Sequence, residues 1–278
     1  MKKITISQIQ GFKGGDSPFA TLTAYDFTSA RIVDRSGIPL ILVGDSAAMV
    51  IYGYSNTIPV SMEQMLFLVS SVARGVERAL VVADMPFMSY QASIEDALKN
   101  AGQFIKVSGA EAIKLEGGRV YADRINAIVN AGIPVMAHIG LTPQSLHQMS
   151  GYRVQGKTAS SAEKLLDDAR SVEEAGAFSL VLEGMPSELA GLVTETVSIP
   201  TIGIGAGPQC DGQIQVFHDI LGLYGGFVPK HTKQYLDVGN QISGAITAYR
   251  EEVESGQFPD SHHSAHVAKE MVNTLKGS

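Results

Sequence analysis

Eight short apolar runs separated by stretches of helical periodicity constrain this chain more than any other feature. The runs are Ala20–Ala24, Pro39–Val43, Ala79–Ala83, Ala112–Leu115, Pro134–Ala137, Ser179–Leu182, Thr201–Ile204 and Gln213–Phe217. They show little polar alternation, as expected of parallel strands covered on both faces. Between them, Ile94, Ala97, Leu98, Ala101 and Ile105 recur at helical spacing, as do Leu165, Ala169 and Val172, and a shorter stripe of Ile125, Ile128 and Val129. A degenerate repeat marks the joints. Ser36-Gly37-Ile38-Pro39, Ala131-Gly132-Ile133-Pro134 and Ser198-Ile199-Pro200 each precede a strand, and Ser108-Gly109-Ala110 and Ala175-Gly176-Ala177 do the same without proline. Glycine ends a helix in the left-handed conformation and proline then starts an extended segment. Alternating β and α units imply a parallel sheet. Eight strands favour an α/β fold of the (β/α)8 TIM-barrel type over an open doubly wound sheet, and 278 residues suit a barrel that needs roughly 250. No glycine-rich dinucleotide fingerprint follows the first strand, which weighs against a Rossmann fold.

The segment after Asp237 lies outside the eight units. Val238–Glu252 reads as a helix, Gly256-Gln257-Phe258-Pro259-Asp260-Ser261 breaks it, and a short polar helix closes the chain. The expected organisation is a catalytic barrel domain over residues 1–255 with a C-terminal tail over 256–278. Hydrophobic residues at 45% and charged residues at 18% are ordinary for a folded enzyme. A net charge of −7 argues against nucleic acid as the main partner. The single cysteine, Cys210, permits no internal disulfide and favours a reducing compartment. The N-terminus lacks an apolar signal core and no apolar run is long enough to span a membrane, so the expected location is cytoplasmic.

The chemistry gathers where the strands end. In an eight-fold barrel the active site lies at the C-terminal strand ends, and here those ends carry Asp45-Ser46, Asp84, Lys114 with Glu116, His138, Glu183 and the run Gly203–Gly207. Lys114 and Glu116 stand two apart and so share one strand face, with Ile113 and Leu115 turned to the helices. They form either part of a site or an ion pair that closes the barrel. Asp45 and Asp84 suit a hard oxygen site for Mg²⁺. The alternative is that each caps the helix that follows it. His138 is either a substrate contact or a satisfied core histidine. Glu183 is a general base or a further ligand. The glycine run lets backbone N–H groups approach an anion, or makes a tight turn only. Cys210 reads as structural, and His262, His263 and His266 as solvated residues of a polar tail.

Taken in order, several segments resemble the ketopantoate hydroxymethyltransferase family from about Ser7 to Pro259. They are Thr23-Ala24-Tyr25-Asp26, Val43-Gly44-Asp45-Ser46, Ala83-Asp84-Met85-Pro86-Phe87, Lys114-Leu115-Glu116-Gly117-Gly118 and His138-Ile139-Gly140-Leu141-Thr142-Pro143-Gln144. Tyr152-Arg153-Val154-Gln155-Gly156, Leu182-Glu183, Gly203–Gly207 and Cys210-Asp211-Gly212-Gln213 complete the series. The resemblance implies transfer of a hydroxymethyl group from 5,10-methylenetetrahydrofolate to 3-methyl-2-oxobutanoate, giving 2-dehydropantoate on the route to pantothenate. It implies that Asp45 and Asp84 hold Mg²⁺, with Glu116 attached directly or through water. Asp45, Ser46, Asp84, Lys114 and His138 would then meet the oxo acid, and Glu183 would be the base. It also implies a homo-oligomer, typically a decamer. The sequence departs from the family at His262-His263-Ser264-Ala265, where an acidic residue, His-Ser and an aromatic are usual, and at Ser150, where glycine is frequent.

The chemistry is coherent: a 2-oxo acid chelates Mg²⁺, the metal favours the enolate, Lys114 adds positive charge, and the enolate carbon attacks the donor in its iminium form. Three rivals are consistent with the same residues. One is a carbon–carbon lyase or mutase of the phosphoenolpyruvate type, separated by a folate requirement. Another is an aldolase with Lys114 as Schiff-base nucleophile. The third is a metal-stabilised binding protein that turns nothing over.

Overall fold

In the computed structural model, which describes residues 2–226 and 228–277, the strand order is β1 to β8 with β8 returning to β1. The strands are β1 Phe19–Thr23, β2 Leu40–Val43, β3 Leu80–Asp84, β4 Ala112–Glu116, β5 Val135–Gly140, β6 Ser179–Glu183, β7 Thr201–Ile204 and β8 Gly212–Gln215. Every neighbouring pair is parallel, and the sheet is a closed barrel. Around it lie α1 Ile6–Gln10, α2 Phe27–Arg35, α3 Ala47–Val50, α4 Met62–Gly75, α5 Ile94–Gln103, α6 Ala122–Asn130, α7 Ala159–Glu174, α8 Ser187–Thr196 and α9 Phe217–Ile220. Thr5, Asp26, Ser61 and Thr158 start α1, α2, α4 and α7 with reciprocal capping boxes. Each box satisfies backbone N–H groups that a helix start leaves without partners.

Side-chain period 2 divides the apolar residues into two layers. Ile41, Val81, Ala83, Ile113, Leu115, Val135 and Ala137 point outward and pack with Val69, Val72, Ile125, Ile128 and Leu165 of the helices. Leu40, Leu42, Leu80, Val82, Ala112, Met136, Val181 and Ile202 fill the barrel interior. Ile9 of α1 joins that inner layer with Phe19, against which Phe12 stacks at 4.7 Å. Ile4 N–H bonds to the Arg78 carbonyl, just before β3, so α1 closes the barrel at the N-terminal strand ends. The lower half of the barrel is therefore hydrophobic and sealed. Apart from Thr21 of β1 and Ser179 of β6, the polar inward positions gather at the C-terminal strand ends.

The observed strands coincide with the expected ones, with two informative shifts at the site end. β5 continues to Gly140, and β8 stops at Gln215, because Phe217 begins the short α9 and its N–H is taken by Thr23 Oγ1 at 2.9 Å. Ile105, expected to extend α5, lies in a π-helical segment Phe104–Ser108 ended by left-handed Gly109. The expected tail helix is present as α10, Val238–Ser255, and none of its residues is buried. A short turn at Ser261–His263 and α11, Lys269–Lys276, follow. His262, His263 and His266 are exposed, with His263 Nδ1 2.7 Å from Asp260 Oδ1. No described helix is long and apolar enough to cross a membrane. Cys210 is buried, and burial pushes its thiol up, consistent with an unreactive structural residue.

Ile9 is fully buried where the barrel is sealed. Ile9→Ala is expected to lower stability by about 2–5 kcal/mol through the cavity it leaves, read as a lower midpoint in denaturant titration.

Candidate active site

A cavity of about 720 Å³ opens at the C-terminal strand ends, and Asp45, Ser46, Asp84, Lys114, Glu116, His138 and Glu183 all line it. Strand register brings them together. Asp84 pairs with Lys114, Glu116 with His138, and Gly140 with Glu183 in successive parallel ladders. Because Ala112 faces inward, Lys114 and Glu116 do so too, and their neighbours Ile113 and Leu115 belong to the outer layer. Gly140 has φ +97°, a region that favours glycine, and a Cβ there would collide with the Glu183 carbonyl oxygen. The absent side chain lets β5 and β6 stay paired up to their last residues, which keeps Glu183 beside His138.

Charge is concentrated and almost fully buried. Lys114 Nζ donates to both oxygens of Asp84, at 2.8 and 2.9 Å, and stands 3.8 Å from Glu116 Oε1. Asp84 Oδ2 also accepts the Asp45 backbone N–H at 3.1 Å. His138 bridges two carboxylates, with Nδ1 3.5 Å from Glu116 Oε1 and Nε2 3.4 Å from Glu183 Oε2. Both contacts are longer than a well-formed N–H···O bond, and neither ring nitrogen has a partner of good geometry. The ring is an ionic spacer between the two acids more than a tightly bonded group.

The charges tune one another. Burial and the Lys114 charge push His138 down, but Glu116 and Glu183 outweigh them and hold it at about 9. Burial also opposes the Lys114 ammonium, yet Asp84, Glu116 and Asp45 hold its pKa above the ordinary lysine value. Burial, Asp84 and Glu116 together hold the Asp45 carboxyl well above the usual range. Asp84 is raised by burial in spite of Lys114. Glu116 is lowered: His138, Lys114 and the Gln144 N–H overcome its burial.

The capping alternative for the two aspartates does not survive. Asp84 is committed to Lys114 and the Asp45 N–H, and α5 is capped by Ser93. Asp45 Oδ2 accepts from Gln144 Nε2 at 3.0 Å, and α3 starts after Ser46 without a side-chain cap. Their environment fits a hard divalent cation. Three buried carboxylates face Lys114 and His138, and the strained ionisation of Asp45 is what a nearby cation would relieve. Among the described residues no group of three His, Cys, Asp or Glu side chains is poised to surround an ion. An ion held here would therefore take its remaining ligands from substrate and water, as Mg²⁺ commonly does.

Sequence reading left several contributors unassigned. Gln144, in the loop after β5, is buried and ties the site together. Its backbone N–H bonds Glu116 Oε2 at 3.0 Å, its amide N–H groups bond Asp45 and the Met85 carbonyl, and its Oε1 accepts from Tyr90 at 2.9 Å. Tyr90 Oη in turn accepts the Glu116 N–H at 3.1 Å. Ser46 Oγ lies 2.7 Å from the buried Tyr25 hydroxyl. His231 and Asp219 also line the cavity. A Cβ on Gly205, at φ +62°, would sit 3.0 Å from His231 Nδ1, so the middle of the glycine run makes room for that ring. Ser150, where the family often has glycine, adopts φ +56°, which accounts for that preference.

Buried, mutually tuned acids and a lysine at the C-terminal mouth of a (β/α)8 barrel define the chain as a barrel enzyme. Solved structures share this fold. A 2,3-dimethylmalate lyase of the PEP mutase/isocitrate lyase superfamily superposes with a TM-score of 0.57 at 18% identity, covering 100% of this chain and 95% of that one. Phosphonopyruvate hydrolase in complex with oxalate and Mg²⁺ gives 0.60 at 14% identity, with coverage of 100% and 95%. Residues 3–261 match the model of the ketopantoate hydroxymethyltransferase family. The 3-methyl-2-oxobutanoate hydroxymethyltransferase of Dehalococcoides mccartyi is 54% identical over 274 residues, 99% of this chain and 97% of its own. That of Syntrophobacter fumaroxidans is 53% identical over 275 residues, again 99% and 97%. The chain belongs to the ketopantoate hydroxymethyltransferase family.

Gln144→Leu keeps the bulk but removes the bonds to Asp45, Met85 and Tyr90. It is expected to cost about 1–3 kcal/mol of stability and to lower turnover by about tenfold or more, measured by thermal unfolding and by steady-state kinetics.

Proposed function

We propose that this enzyme transfers a hydroxymethyl group from 5,10-methylenetetrahydrofolate to 3-methyl-2-oxobutanoate. In the balanced reaction a C–C bond forms at C3 of the oxo acid, water supplies the hydroxyl oxygen, and tetrahydrofolate leaves with 2-dehydropantoate. The observation that carries the reading is the grouping of Asp45, Asp84, Lys114 and Glu116 in one cavity with Glu183, in a chain of this family. Asp45 and Asp84 would hold Mg²⁺, with Glu116 directly or through water, and Mg²⁺ bound there would supply Lewis-acid polarisation of the carbonyl and stabilise the enolate. The ammonium of Lys114 is fixed by Asp84 and places a permanent positive charge beside the oxo acid's oxygens. Ser46 and His138 offer the remaining polar contacts.

Glu183 takes the proton from C3. Asp45 and Asp84 are occupied with Gln144, Lys114 and the metal position. Lys114 is held protonated and cannot accept. Glu116 lies beneath a lysine contact, a Gln144 N–H and His138. Among the described residues Glu183 has one ion-pair contact, with His138, and it is the most open of the four acids, at 17% side-chain exposure. A protonated Lys114 held by two acids also counts against Schiff-base chemistry, which needs a free amine.

Product formation from the oxo acid and methylenetetrahydrofolate should require Mg²⁺ and be abolished by chelation; turnover that persists after chelation would sink the metal assignment. Exchange of the C3 proton with deuterated water isolates the base. Glu183→Gln should bind metal and oxo acid yet exchange slower by about 10²-fold or more. Wild-type exchange in that variant, with slow exchange in Glu116→Gln, would transfer the role to Glu116.

We also infer a homo-oligomer. Ile242, Ile246, Tyr249 and Val253 form an exposed apolar stripe along α10, which has no buried residue. A helix of this length is marginal in water without packing, and a second copy is the occupant that supplies it. The outer barrel helices offer exposed apolar side chains in turn, including Ile32 and Phe67. The full chain should sediment as an oligomer at micromolar concentration, and Ile246→Asp should shift it toward smaller species; a wild-type monomer would contradict the inference.

A further inference from the structure

The cavity has two unlike sides. One carries the acids and lysine of β2, β3 and β4. The other is formed by the end of β7, by β8, which adjoins β1 in the closed barrel, and by the short α9 that follows it. On that side Ile204, Ile214 and Val216 present apolar surface, and Gly205 presents none. Asp219 stands among them. It lines the cavity and is 8% exposed. Its backbone N–H bonds the Val216 carbonyl and its carbonyl accepts from Gly222. Its side chain does not cap α9. Among the described residues its carboxylate is not paired with any cation, and burial alone shifts it.

Burial pushes the Asp219 carboxyl up to about 6, so it is ionised at neutral pH and can only accept hydrogen bonds. An acceptor-only group kept in a half-dry wall without donors is unfavourable, unless a ligand brings the donors. The oxo acid does not, since both its functional groups are acceptors. The cavity is also far larger than a five-carbon acid requires; about 300–1,000 Å³ is typical for ligands of drug size. The second ligand is therefore large, has adjacent N–H donors at one end and fits between an apolar wall and a glycine. At the rim the exposed cations Arg153 and Lys230 face the same space, which suits an acidic group at its other end.

We propose that Asp219 holds the one-carbon donor by its pterin ring, its two oxygens accepting from the ring N3–H and the 2-amino group, with Arg153 and Lys230 receiving the carboxylates of the p-aminobenzoylglutamate tail. The assignment rests on the folate reading above. It makes Asp219 a residue of donor specificity with no part in proton removal from the oxo acid. The orientation leaves the one-carbon unit, between the pterin and the tail, directed toward the strand ends that carry Glu183.

The test uses two probes on the Mg²⁺-loaded protein with 3-methyl-2-oxobutanoate present: tetrahydrofolate, and 6-methyltetrahydropterin, which has the ring and no tail. Calorimetry should show both weakened about 10- to 100-fold by Asp219→Asn. Lys230→Ala should weaken tetrahydrofolate alone. The C3 proton exchange of the oxo acid, which needs no donor, should stay within about twofold of wild type in Asp219→Asn, and this shows that the variant is folded. Unchanged tetrahydropterin affinity in Asp219→Asn overturns the proposal while leaving the folate reading intact. Loss of exchange in parallel with binding overturns it as well, since the carboxylate would then act on the oxo-acid side. A wild-type protein that binds neither probe overturns the folate reading and the proposal together.

Discussion

The contact on which the site depends is the one between Lys114 and Asp84. It is a buried ion pair, and a buried pair gains little net stability because both charges lose water. Its importance is positional. It forms because Asp84 and Lys114 are opposite one another in parallel register, and it forces the next inward position on β4, Glu116, to stand within 3.8 Å of the same ammonium. Glu116 then faces His138 across the next ladder, and His138 faces Glu183 across the one after. Charge alternates from strand to strand around half the barrel. Removing Lys114 would leave Asp45, Asp84 and Glu116 without their shared cation, so the lysine is structural and chemical at once.

The barrel was legible from sequence because parallel strands covered on both faces leave continuous apolar runs, and because glycine and proline mark each return from helix to strand. The inward face of β4 was legible from spacing alone: two residues apart on a strand is one face, and burial of Ile113 and Leu115 among the helices agrees. What sequence could not show was any partner brought in by a loop. Gln144 lies four residues beyond β5 and reaches the main chain at Met85, the side chain of Asp45 and the hydroxyl of Tyr90. No periodicity encodes such contacts. For the same reason the capping alternative for Asp45 and Asp84 stayed open until the oxygens could be assigned their donors. Asp219 is not marked in the sequence because its residue type is common at helix starts; what distinguishes it is a buried carboxylate that has no cation partner among the described residues.

The relation to lyases and mutases of the phosphoenolpyruvate type is one of architecture. At 14 and 18% identity the superposed structures share the barrel and its open end, and a barrel mouth supports many reactions. Sequence identity above half over nearly the whole chain separates the families. Within the site, the difference from an aldolase lies in the state of one amine: two carboxylates beside Lys114 fix it as an ammonium, where a Schiff base would need it neutral.

The seal formed by Ile9, Phe12 and Phe19 under the strands has a consequence for traffic. With the base closed among the described residues, a molecule that reaches the floor near Asp45 and Lys114 comes in through the mouth at the C-terminal strand ends. Were a larger ligand held above that floor, as the folate proposal has it, a small acid would have to enter before it and the product would have to wait for it to leave. In that arrangement shape alone would set the order of entry and exit.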